Sequence, residues 1–568
     1  MSSPTSRAAS ARWCSSNCGR TAARASGASK VLDTSRRPGV PAQGLVLPLL
    51  LILGVTLWRL WAAATVPVTQ DEAYYFHWAR ALAWGYFDHP PGVALLGLGT
   101  RLAPESVFAA RLGAVLAGLL ALLVLWRFYA TLGLRRGDGL LLALVLAAAT
   151  APGLIAGVIT TPDTVLMLFW ALALHEALAA LRGGRRRWLT AGIATGLGLL
   201  GKYSMAVIGP VFLWAMLAAD RRALGTPWPY LGGLLALLVL LPHLLWNAEH
   251  DWLSLRFQLG HGLATELGSF DVAAAGLPAA VGDQSYTPPG TDPRTPLDRL
   301  ASLASFFGTQ LAFWGLLLLP LGAALWRGGV SRARRAIRST FDGPARALVA
   351  AGALFPLALF GVLSLTSDVE ANWSALYLAC AVPAAAVLLR PLAQWALLAA
   401  AGNLLLVSLY AFHAATAALP LPDAAQRVLR ESYGYPALAD YAESLGKPVF
   451  ADRYPFVAML NFHAPELAVA QWPNIARPSE YSRGKLVQPP PLAKLRQTGF
   501  WLVAYKFSPP EIPGFRAVET RSLFQCQGQP LKVVQGGAPW SAAGCPDPIQ
   551  GWRLYRYVAD QGPAANTD

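Results

Sequence analysis

Asp71-Glu72-Ala73-Tyr74-Tyr75 follows a hydrophobic run that ends near Pro67, and Phe87-Asp88-His89-Pro90-Pro91 comes just before the chain turns apolar again. Acidic residues at the mouth of a membrane helix are costly to place unless they do chemistry or meet a charged partner. The two stretches together predict a membrane enzyme with its active site at one membrane face.

The rest of the chain supplies the membrane. Of 568 residues, 55% are hydrophobic and only 14% charged, and the mean hydropathy is +0.41. A soluble chain carries about a quarter charged residues. Runs of about 20 apolar residues, each long enough to cross the hydrocarbon core, predict a polytopic α-helical membrane protein. Continuous rather than alternating apolar runs exclude a transmembrane barrel. Candidate spans lie at roughly 44–66, 107–130, 139–159, 162–181, 188–203, 205–219, 228–247, 304–325, 346–366, 372–389 and 392–417, about eleven in all.

The net charge of +15 is spread in short clusters between these runs. That pattern excludes a nucleic-acid partner, which needs one basic patch on a soluble fold, and fits control of topology. Arg135 and Arg136, Arg182 to Arg187, Arg221 and Arg222, Arg327 to Arg338, and Arg390 all fall on the side of the N-terminus. The expected organisation follows. Residues 1–43 form a disordered, basic cytoplasmic tail. Residues 44–417 form the membrane domain, with external loops 67–106 and 248–303. Residues 418–568 form a periplasmic or extracellular α/β domain, because helix-like and strand-like segments alternate there (a helix over 437–445, strands at 449–452, 500–505 and 552–557). Asp283 to Gly290 reads as a turn-rich loop over the site. Of five cysteines, Cys14 and Cys18 lie in the tail and Cys380 in an apolar run. Cys526 and Cys545 form either a disulfide or two free thiols.

Polar groups from separate connections collect on the face opposite the arginines. A carboxylate near the hydrocarbon boundary, as at Asp71 or Glu72, acts as a general base once its pKa is tuned; the plain alternative is a helix N-cap with acids in the first turn. Tyr74, Tyr75, Trp78, Trp84 and Tyr86 read as an interfacial aromatic helix against lipid or sugar. Asp88 beside His89 suits a phosphate, or a divalent metal shared with Asp71. Asp163 after Thr161-Pro162 reads first as an ordinary helix start. Lys202 has no acidic neighbour in sequence, and a lone cation at a membrane face wants an anion such as a lipid phosphate. Trp246-Asn247 and Asn372-Trp373 each pair an indole with an amide at a span end.

These motifs, in this order, resemble the dolichyl-phosphate-mannose–protein mannosyltransferase family, within the GT-C glycosyltransferases that include the bacterial aminoarabinose transferases. The resemblance adds Gly201-Lys202-Tyr203, Pro242 to Trp252, Phe307-Gly308-Thr309-Gln310, Ala451-Asp452-Arg453-Tyr454 and Pro478-Ser479-Glu480-Tyr481, and covers most of residues 44–568. His89 stands where some relatives carry lysine, and segment 264–303 is longer than usual. The resemblance implies a GT-C fold and an inverting transfer from a polyprenyl-phosphate-linked sugar to a lipid, glycan or protein acceptor at the outer face of the bacterial inner membrane. It implies that Asp71 and Glu72 are catalytic, with Asp71 the base. It implies that Lys202, His89 and Tyr203 hold the donor phosphate. Asp88, Tyr74, Tyr75, Asp163, Trp246, Asn247, Asn372 and Trp373 then order the site or touch substrate. No cofactor is required on this reading, and a divalent metal at Asp71 and Asp88 is left open. The alternative is a non-enzymatic transporter or flippase of lipid-linked sugars, against which stand acids at helix ends and no internal repeat.

Overall fold

The computed structural model describes residues 43–134, 139–263, 270–271, 285–286, 294–367, 369–422, 426–473, 475–505, 508–545 and 548–560. The basic tail with Cys14 and Cys18, and the Asp283–Gly290 loop apart from a two-residue strand, lie outside the described residues.

The chain is a polytopic α-helical membrane protein with a soluble C-terminal α/β domain. Among the described residues, six stretches are long and apolar enough to cross a membrane: Val46–Thr65, Val107–Leu132, Pro162–Leu181, Trp228–Glu249, Gly343–Leu363 and Ala371–Thr416. A seventh is a broken pair, Pro296–Ala312 and Gly315–Thr340, bent by 90°. The helices depart from the expected span bounds in three places. The 139–159 run divides into Leu140–Ala149 and Ala151–Ile155, where Thr150 leaves the helix and its hydroxyl caps the next one at Gly153 N. The 188–203 and 205–219 runs give only short helices, Arg187–Leu199 and Ile208–Ala219. The expected 304–325 span straddles the 90° break, at which Gly315 adopts a left-handed φ of 54°. Asn403 caps that break: its side chain accepts from Leu316 N at 2.9 Å and donates to Trp314 O at 2.9 Å.

The C-terminal domain is built on a six-stranded mixed sheet. In spatial order its strands are Ala470–Gln471, Val449–Ala451, Phe500–Ala504, Gln550–Ala559, Phe515–Gln525 and Lys532–Gln535. The first three run parallel, and the last three join in antiparallel pairs. Cys526 and Cys545 are disulfide-bonded.

This domain packs onto the connection that carries Asp71. The helix Gln70–Arg80 starts in a capping box: Thr69 accepts from Glu72 N, and the Glu72 carboxylate accepts from Thr69 N. Its aromatic residues do not meet lipid, as the sequence led one to expect. Tyr74, Phe76, Trp78 and Tyr86 are fully buried in one cluster with Tyr435, Phe456, Leu460 and Phe462 of the C-terminal domain. Trp78 and Tyr86 stack with ring centres 4.3 Å apart, while Trp84 alone of the set is exposed. Burying each such ring is worth about 1.5–3 kcal/mol, so the domain is a fixed roof over this helix.

Candidate active site

Neighbouring residues on a helix point about 100° apart, and this separates the two acids of Gln70–Arg80. Glu72 turns inward and is 0% exposed. Its carboxylate takes Arg111 Nε at 2.8 Å and Arg111 Nη2 at 2.5 Å, with Thr160 N at 2.9 Å. The same guanidinium donates to the carbonyls of Val66 and Pro67. Glu72 therefore ties the end of the first span to the second span and to the 160 loop. Both side chains of the Glu72–Arg111 pair are fully buried.

Asp71 turns the other way and stays open to solvent. Tyr454 donates its hydroxyl to Asp71 Oδ1 at 2.9 Å. The protein walls around the group raise its pKa by desolvation, the Tyr454 hydrogen bond opposes this, and the charges of Glu431 and Asp88 add to the rise. An accessible carboxyl with a raised pKa is a general base in waiting. The sign of the Tyr454 effect gives a test. Its hydrogen bond stabilises the carboxylate and lowers the pKa, so Tyr454→Phe raises it. The acidic limb of the pH–rate profile is expected to move to higher pH, with the alkaline plateau changed little.

Asp88 is 4% exposed and fully engaged. Its Oδ1 meets Arg477 Nη1 at 2.7 Å, and its Oδ2 accepts from the Tyr74 hydroxyl at 2.7 Å. The Arg477 guanidinium lies 4.3 Å from the centre of the Tyr454 ring and 5.1 Å from that of Phe257. Arg477 therefore couples Asp88 to the tyrosine that holds Asp71. Both oxygens of Asp88 thus meet protein donors. Among the described residues there is no group of three or more His, Cys, Asp or Glu side chains arranged to hold a metal. His89 is half-buried, edge-on to Tyr75 with ring centres 6.1 Å apart, and its Nδ1 lies 3.4 Å from Gln258 Nε2.

Lys202 is not the lone cation its sequence neighbourhood suggests. Its ammonium sits 2.9 Å from both oxygens of Asp163, 39 residues earlier. Asn372 donates to Asp163 Oδ2 at 2.6 Å. This Lys202–Asp163–Asn372 cluster joins the Asp88 loop through backbone, since Gly92 N donates to Leu200 O at 2.7 Å. Glycine is required at 92: a Cβ there would stand 2.7 Å from that carbonyl. Tyr75 marks the convergence. Burial pushes its hydroxyl well up, and the charges of Asp71, Asp88 and Asp163 push it further.

The remaining expected residues support the site from behind. The Tyr203 hydroxyl is bound to His243 and to Ser254 at 3.0 Å. Asn247 is fully buried. It accepts from Leu255 N at 3.3 Å and braces the turn at Asp251 and Trp252, both at positive φ. Its amide nitrogen also lies 3.0 Å from His243 Nε2. Trp246 is buried between His250 and the Arg483 guanidinium, with ring centres 4.3 Å apart in the first pair. Trp373 is half-buried beside Phe360.

Sequence reasoning missed Arg477 altogether and gave Tyr454 and Glu480 no role. Glu480 is buried, accepts from Phe87 N at 2.7 Å and pairs with Arg483 at 2.8 Å. Burial pushes its pKa up to about 7 against the pull of Arg483.

Parts of the chain are similar to known glycosyltransferases. Residues 88–246 match the family described as dolichyl-phosphate-mannose-protein mannosyltransferase, a stretch that includes Asp88, His89, Asp163, Lys202 and Tyr203. Lipid A galacturonosyltransferase RgtD of Rhizobium johnstonii is 30% identical over 230 residues, 39% of this chain and 47% of that protein. Lipopolysaccharide core galacturonosyltransferase RgtA of the same organism is 29% identical over 215 residues, 36% of this chain and 42% of that protein. The matches thus span less than half the length of these relatives. ArnT from Cupriavidus metallidurans bound to undecaprenyl phosphate has a similar fold, with TM-score 0.55 and 15% identity over 82% of this chain and 93% of that one. Its apo state gives TM-score 0.53 at 16% identity. The family resemblance read from the sequence is borne out.

Proposed function

We propose that this chain, which carries the family likeness and the fold of an ArnT-like GT-C glycosyltransferase, moves a sugar from a polyprenyl-phosphate carrier to an acceptor hydroxyl or phosphate in one inverting displacement. The observation that carries this reading is Asp71: an open carboxylate, held by Tyr454 and raised by its walls, beside the Asp88–Arg477 pair and the Lys202–Asp163 pair. For a hydroxyl acceptor, its oxygen attacks the anomeric carbon as its proton passes to Asp71. The bond from that carbon to the carrier phosphate breaks, and the carrier leaves as a lipid phosphate. Lys202 and His89 meet the phosphate as its charge grows, which is where a preorganised cation lowers a barrier most. Asp163 and Asn372 set the position of the Lys202 ammonium. Asp88 and Arg477 act as positioning residues through Tyr74 and Tyr454. Because RgtD and RgtA are named for galacturonic acid, the sugar proposed is a uronic acid and the acceptor a lipid A or core saccharide.

The site faces the periplasm on this reading, in the bacterial inner membrane with the N-terminus cytoplasmic. Two features support that side. The Cys526–Cys545 disulfide of the C-terminal domain fits an oxidising compartment, and the arginine clusters fall at the opposite ends of the spans.

Two measurements test the proposal. Mass analysis of envelope glycolipids is expected to show a uronic-acid-bearing species that disappears with the gene; identical profiles would reject it. Lys202→Met is expected to raise the KM for the lipid-linked donor about tenfold or more, the size of one charge-assisted hydrogen bond, with Lys202→Arg intermediate. An unchanged donor KM would remove Lys202 from the phosphate site.

A further inference from the structure

A cavity of about 440 Å³ opens where the helix Ala393–Thr416 ends and the C-terminal domain begins. Its walls include Ala417, Leu419, Gln426, Arg430, Gln527 and Trp540. None of these belongs to the site around Asp71.

Trp540 is its most constrained member. The ring is 40% exposed, yet its placement is fixed from two sides. It packs against Phe524, with ring centres 5.7 Å apart. It also lies across Gly551, where a Cβ would stand 3.0 Å from the ring. The Cys526–Cys545 disulfide closes the segment that carries both Gln527 and Trp540. An indole held this way presents a flat apolar face at little further cost in rotamer freedom. Around it stand groups of a different kind. Gln426 donates to Leu421 O at 2.8 Å, which fixes the plane of its amide. Gln527 is exposed at the rim. Arg430 is exposed and makes no ion pair among the described residues. A stacking face, two amides and an unpaired guanidinium are the complement of a sugar ring that bears an anionic group.

The position matters as much as the chemistry. Ala417 and Leu419 on the cavity wall directly follow the apolar stretch Ala371–Thr416, long enough to cross a membrane. One short helix, Arg427–Ser432, carries Arg430 on the cavity wall, while the next residue, Glu431, is close enough to Asp71 for its charge to raise the Asp71 pKa. We propose that this cavity is an acceptor subsite that takes the phosphorylated saccharide headgroup of a glycolipid. Trp540 stacks on a sugar face, Gln426 and Gln527 meet hydroxyls, and Arg430 meets the phosphate. The assignment to the acceptor rests on the transferase reading above; the chemistry of the cavity does not.

The test uses full-length purified protein in nanodiscs, with bisphosphorylated lipid A and undecaprenyl phosphate as separate probes. Trp540→Ala and Arg430→Gln are each expected to weaken lipid A binding about tenfold or more, with undecaprenyl phosphate binding unchanged. Trp540→Phe is expected to restore most of the lipid A affinity, because it restores a ring. Wild-type affinity for lipid A in both variants, no lipid A binding by the wild type, or equal loss of both ligands would overturn the subsite. Arg430 is on the surface, so its variant tests the cavity even if Trp540→Ala unfolds the domain. Asp71→Asn separates the two proposals. It is expected to bind lipid A normally and to transfer sugar about 10²–10⁴-fold more slowly. A wild type that binds lipid A through Trp540 but transfers no sugar would sink the transferase reading and leave a saccharide site of another purpose.

Discussion

Asp71→Asn is expected to lower kcat for sugar transfer by about 10²–10⁴-fold, the contribution of one positioned general base, while folding and donor affinity stay near wild type. The neutral amide keeps the shape of the side chain and still accepts the Tyr454 hydroxyl bond seen at Oδ1. It cannot take the proton of the attacking hydroxyl. The substitution sits on an open group whose removal leaves no buried charge, so the melting temperature is expected to change little. A purified variant that turns over at the wild-type rate would remove Asp71 as base, and one that fails to fold would show that its carboxylate is structural.

Glu72→Ala, one residue further along, is expected to do the reverse. It should destabilise the protein by about 3–5 kcal/mol, the cost of removing one partner from a buried ion pair. Both side chains of the Glu72–Arg111 pair are 0% exposed, and the freed guanidinium would keep only carbonyl partners. The lost carboxylate also releases Thr160 N and half of the Thr69 capping box. Thermal unfolding in detergent measures this directly. Any loss of activity should follow the loss of folded protein. An unshifted melting temperature with abolished turnover would return Glu72 to the chemistry.

The contrast shows how far the sequence could be read. Two adjacent acids are equivalent in a string of letters; which of them stays exposed depends on the Thr69 cap and on Arg111, 39 residues from Glu72. Lys202 was legible as a cation needing an anion, and its partner was in plain view as Asp163, but a helix-start aspartate carries no sign of where its carboxylate points. The membrane domain was legible because apolar runs must satisfy their own backbone, although hydropathy alone counts a broken run as a span. A helix break falls inside both 139–159 and 304–325. In the C-terminal domain the compact strand Phe500–Ala504 stood out as an apolar run. The 11-residue strand Phe515–Gln525 did not, because Arg516, Ala517 and Val518 are exposed and Arg516, Glu519 and Arg521 interrupt the apolar run. Arg477 left no signal at all: its role comes from stacking between Tyr454 and Phe257 while it binds Asp88, contacts set entirely by tertiary structure.

The most direct measurement is transfer itself, with protein reconstituted in liposomes containing a polyprenyl-phosphate-linked uronic acid and lipid A, and lipids analysed by mass spectrometry. The account predicts that the wild type adds one uronic acid to the acceptor and releases the carrier as its phosphate in equal amount, and that Asp71→Asn does both about 10²–10⁴-fold more slowly. Acceptor left unmodified by a folded wild-type protein, or modified equally by Asp71→Asn, would contradict it.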